Sequence, residues 1–128
     1  DNQYAGATAG EAIQKSQELL DDLRRSDGVF CPNESSTYGM LVTLRKNNLA
    51  GRLKFVGFDA SAELIEALKK GEIQGLVVQN PFRMGYDGVR TALSSVWGRE
   101  VAPRIDTGVE LVTRENLNDP AIRQLVRE

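Results

Sequence analysis

Apolar positions along this chain switch between two periods, and the switching predicts its elements. Residues 1–7 are irregular and read as the tail of a strand. From about Ala9, small and apolar residues recur at Ala12, Ile13, Ser16, Leu19, Leu20 and Leu23. That spacing is the stripe of a helix with a 3.6-residue period. Arg24 and Arg25 sit in its last turn and Gly28 turns the chain. The run Val29-Phe30-Cys31, stopped by Pro32, predicts a buried strand over about 28–32. A helix over about 35–47 follows, with Tyr38, Leu41, Val42 and Leu44 inward, and then a β-rich strand over 53–58. Ser61 is placed to cap a third helix, with Glu63 in its positive first turn and Leu64, Ile65 and Leu68 as its buried stripe. Residues 73–79 form the next strand. Pro81 then opens a helix whose expected inner face is Met84, Val89, Ala92, Leu93 and Val96. Gly85 and Gly88 within it predict close approach of another backbone. A strand over 107–113 and a helix capped by Asp119, with Pro120 in its first turn and Ile122, Leu125 and Val126 on its apolar side, complete the pattern.

Helix and strand alternate throughout. The expectation is an α/β fold in three layers, a mostly parallel sheet with helices on both faces. Open sheets of this kind bind ligands outside the carboxyl ends of their strands. The three best strands end in Asn33, Asp59 and Gln79. These side chains are two planar amides and a planar carboxylate, which offer donors and acceptors in paired geometry. Neighbouring hydroxyls of a sugar or polyol demand such pairing, because each hydroxyl both donates and accepts. A helix-capping role is an equal alternative for Asn33 and for Asp59. Gln79 is a poor cap and a poor strand residue, which favours a functional role. Cys31 reads as packing.

Composition narrows the chemistry. The chain has 128 residues, 41% hydrophobic and 27% charged, enough for one domain with its own core. With 16 basic and 18 acidic residues the net charge is -2, which gives no electrostatic footprint for nucleic acid. The single cysteine excludes an internal disulfide. The absence of histidine removes Ser-His and Cys-His nucleophilic catalysis and the usual zinc constellations. No strand-helix turn carries the glycine-rich loop and lysine of a phosphate site. No stretch is long and apolar enough to cross a bilayer, and no secretory leader is expected within these residues, as for a processed exported protein. No cofactor is called for, and an enzyme of flavodoxin-like architecture is the weakest of three readings.

Four motifs in order carry a more specific signal. They are Val29-Phe-Cys-Pro-Asn-Glu-Ser-Ser-Thr-Tyr-Gly-Met-Leu41, Lys54-Phe-Val-Gly-Phe-Asp-Ala-Ser61, Leu76-Val-Val-Gln-Asn-Pro-Phe-Arg-Met-Gly85 and Ile105-Asp-Thr-Gly-Val109. Together they resemble the carboxy-terminal half of the sugar-binding proteins of bacterial ABC importers, the ribose-binding-protein-like, type I periplasmic binding proteins. The resemblance implies one lobe of a two-lobed protein that closes around a monosaccharide, works in the periplasm and meets an ABC permease. It implies that Asn33, Asp59 and Gln79 are ligand-binding, with no catalytic or metal residues. Residues 1–75 would be the first part of the carboxy-terminal lobe. Residues 76–98 would cross to the other lobe, and 99–128 would return. Because most of the amino-terminal lobe is absent, self-association or domain swapping through the crossover is an expectation. The alternative is the effector-binding domain of a sugar-responsive repressor, which has a related fold.

Overall fold

The computed structural model describes residues 4–126. The helical stripe that begins after Thr8 forms as two helices, α1 (Ala9–Glu18) and α2 (Leu20–Arg25), broken at Leu19. Thr8 caps α1 in a reciprocal box with Glu11, whose carboxylate also accepts from the Ala7 and Thr8 amides. The Thr8 hydroxyl, first, and these two amides hold the Glu11 carboxyl below the usual glutamate range. Residues 4–7 form no strand, so the expected strand tail is absent there, and residues 1–3 lie outside the described residues. Then follow β1 (Gly28–Phe30), α3 (Glu34–Lys46), β2 (Lys54–Phe58), α4 (Ala62–Lys70), β3 (Gly75–Gln79), α5 (Pro81–Val96), β4 (Val109–Val112) and α6 (Pro120–Leu125).

The four strands form one sheet in the order β1-β2-β3-β4. The first three are parallel, with Val29 beside Phe55 and Gly57 beside Leu76. The last strand is antiparallel to β3 and pairs Leu76 with Val112 and Gln79 with Val109. The α/β class and the mostly parallel sheet are as expected. Within the described residues the core lies on one face of that sheet. Cys31, just past β1, and the strand residues Phe55, Leu76, Val78 and Val112 belong to it, and the register puts all of them on the same side. Leu41 and Leu44 of α3, Leu64 and Leu68 of α4, and Ile122 of α6 pack with them, among other helix and loop residues such as Leu23, Leu53 and Ile73. Two crossovers that advance in one direction along a sheet, with one hand, put their helices on one side. The opposite face shows Phe30, Val109 and Leu111, each more than half exposed.

Helix packing on the covered side depends on small residues. A Cβ on Gly39 of α3 would lie 2.6 Å from the Cβ of Ala12, so α1 and α3 meet nearly backbone to backbone. Arg45 near the end of α3 donates to Glu63 in the first turn of α4 at 2.9 Å and to Glu72 before β3 at 2.7 Å. Glu63 is therefore spent on this link, while Ser61 makes no side-chain capping bond.

Helix α5 departs most from expectation. It has no buried residue, and its expected inner face is open, with Val89 64% and Val96 80% exposed. A Cβ at Gly85 or Gly88 would meet nothing within 4 Å, so no backbone of the described residues approaches there. The amphipathic stripe is real, but none of the described elements packs on it.

Cys31 follows β1 directly, 5% exposed, with its amide donating to Val56 O at 3.0 Å. Burial pushes its thiol up to about 12, against the smaller opposing effect of a hydrogen bond with Ser36. The unfolded chain releases this proton from about pH 9 and the folded chain does not, so between those values the folded state binds more protons. Stability contributed by the neutral thiol is therefore full below pH 9 and is lost as pH rises toward 12. At pH 8 a thiol reagent should label Cys31 only at the rate of unfolding, and Cys31→Ala should flatten the alkaline limb of a stability-against-pH curve. Rapid labelling of the native chain would contradict this burial.

Candidate functional site

The carboxyl ends of β1, β2 and β3 lie side by side, because the three strands are adjacent and parallel. Asn33, Asp59 and Gln79 are found at those ends, as the sequence predicts. Asn33 and Asp59 line one open depression of about 610 Å³, together with Ala7, Ala9, Glu34, Ser35 and Tyr38. Gln79 is not in that lining but is joined to it, since its Nε2 donates to Asp59 Oδ1 at 3.2 Å.

Each of the three is held differently. Asn33 is the N-cap of α3, and its Oδ1 accepts from the Ser36 amide at 2.9 Å and the Ser35 hydroxyl at 3.0 Å. The capping alternative is thus correct for Asn33 and compatible with an exposed place at the rim. Asp59 is not a cap: α4 starts at Ala62 behind Ser61. Its φ is +65°, left-handed backbone that aspartate tolerates better than most residues. Its amide continues the ladder by donating to Val77 O at 2.9 Å. Gln79 is the last residue of β3 and half-buried.

Thr37 joins the first two, and sequence reasoning did not single it out. It is fully buried; its hydroxyl donates to Asn33 O at 2.7 Å and accepts from the Phe58 amide at 2.9 Å. The start of α3 is thereby fastened to the end of β2, one residue before Asp59. Gly57 leaves the room, because a Cβ there would collide with Thr37 Cγ2 and approach Leu76 Cδ2 at 3.2 Å. An isolated glycine in a β-rich strand was the available signal for such close approach. Tyr38, read from sequence as packing, is half-buried and lines the depression.

A larger hollow, about 740 Å³, lies between the start of α5, β4 and α6. Two of its three amides, Asn80 and Asn116, are committed to local structure, and the third is the exposed Gln124 of α6. Asn80 Oδ1 caps α5 through the Arg83 amide, and Asn116 bonds the Thr113 amide and Leu111 O. Chemistry converges at the strand ends instead. Among the described residues no group of three or more acidic, cysteine or histidine side chains could hold a metal ion.

The sheet is mostly parallel, with amide and carboxylate groups at adjacent strand ends, the edge at which open α/β sheets meet ligands. Residues 1–100 match the periplasmic binding protein domain family, and the chain belongs to that family. It is 23% identical over 103 residues to the ribose import binding protein of Haemophilus influenzae, covering 80% of this chain and 35% of that one. An ABC transporter solute binding protein from Agrobacterium vitis, solved with bound D-fucose, superposes with a TM-score of 0.89 at 30% identity, over 98% of this chain and 43% of that one. A carbohydrate transporter solute binding protein from Agrobacterium radiobacter, in complex with D-arabinose, gives 0.86 at 38% identity, over 96% and 42%. The chain thus spans less than half the length of these relatives.

Replacing Thr37 by Val removes the hydroxyl and leaves the buried Phe58 amide unpaired. The expected loss is about 1–3 kcal/mol of unfolding free energy. Thr37→Ser keeps the hydroxyl and should also soften the damage of Gly57→Ala, since it deletes the methyl group with which the new Cβ collides. Urea titration of the four variants checks both statements. Equal stability of the Val and Ser variants would refute the bridging role.

Proposed function

We propose that this chain is one lobe of a monosaccharide-binding component of a bacterial ABC importer, working in the periplasm. The observation that carries the reading is the placement of Asn33, Asp59 and Gln79 at three neighbouring strand ends, with Gln79 bonded to Asp59. The sugars held by the similar solute binding proteins support the ligand class. The function is binding without chemistry: carboxylate and amide groups replace the water around sugar hydroxyls. A second lobe closes over the sugar and stabilises the liganded form, and the permease recognises that form.

The same reading accounts for α5. Residues 76–79 stay in this sheet as β3, so the crossing expected over 76–98 falls after Gln79. The exposed stripe of Phe82, Tyr86, Val89, Leu93 and Val96 on α5 is the surface that meets the other lobe. In the 128-residue chain alone the stripe has no such cover. That chain should bind a hydrophobic dye and sediment above its monomer mass at micromolar concentration, and Leu93→Glu should reduce both effects. A clean monomer that binds no dye would count against the crossover assignment.

Affinity should need both walls. Titration calorimetry with D-ribose, D-arabinose and D-fucose should give little or no heat with this chain. The two-lobed protein should bind at least one of them, and Asp59→Asn should weaken that binding by about tenfold or more while the fold is kept. Tight sugar binding by the 128-residue chain, or none by the two-lobed protein, would overturn the proposal.

A further inference from the structure

We draw no further inference here: the strongest candidate, the groove of about 500 Å³ between α1, α2 and the edge of β1 that no described strand pairs, is shaped for one more strand of the same sheet and so restates the established fold of the family.

Discussion

The buried hydroxyl of Thr37 is the constraint on which the site end depends. A parallel sheet and the helices that follow its strands leave polar backbone groups at the carboxyl edge. The Phe58 amide of β2 and the Asn33 carbonyl at the start of α3 are two of them, and Thr37 Oγ1 satisfies both. In a dry interior such a bridge is strong when complete and costly when broken. It works only because Gly57 leaves space for the threonine methyl. The pair thus turns a packing requirement into a positional one. Asn33, at the helix side of the bridge, and Asp59, one residue past the strand side, are set at a fixed separation by secondary structure and not by loop chance.

The same economy explains what the chain leaves uncovered. Its core uses one face of the sheet, where Phe55, Leu76 and Val112 meet α3, α4 and α6. The second face and the whole of α5 bring apolar side chains that the described elements do not bury. These are not scattered surface residues. Phe30, Val109 and Leu111 lie on one face by register, and Phe82, Tyr86, Val89, Leu93 and Val96 lie along one stripe of α5. Contiguous apolar surface of this sort calls for a covering partner. On the proposed reading the remainder of a two-lobed chain supplies it, which agrees with a match that spans 43% of a solved relative.

Much of this was legible in the sequence because the signals are periodic. Every expected helix and strand from Ala9 onward is present, and the three strand-end residues were readable from where apolar runs stop. What escaped were features that periodicity does not encode. A four-residue strand carries no mark of its direction, so the antiparallel pairing of β4 with β3 came from the structure. An amphipathic stripe says that a face wants cover and not whether cover is present, so α5 was expected to be packed. Caps were read by residue type alone. Ser61 and Asp119 occupy N-cap positions without making the side-chain bond, while Thr8 and Asn80 make it unannounced. The Thr37–Gly57 contact joins residues twenty positions apart, and only the glycine hinted at it.

Asp59 shows why the strand-end wall is more than a by-product of the fold. Left-handed backbone costs a residue with a side chain about 1–2 kcal/mol, and glycine would avoid that cost. Stability alone therefore gives no reason for a carboxylate at this position. The chain holds one there, fixes its amide to Val77 O and lays the Gln79 amide against one of its oxygens. Strain of this kind persists where the surroundings over-determine the conformation, and its usual place is a functional site. On the proposed reading, the second carboxylate oxygen accepts from a sugar hydroxyl in the depression beside Asn33. On that reading, a helix-capping amide and a strained carboxylate at adjacent strand ends form a wall that folding alone does not require.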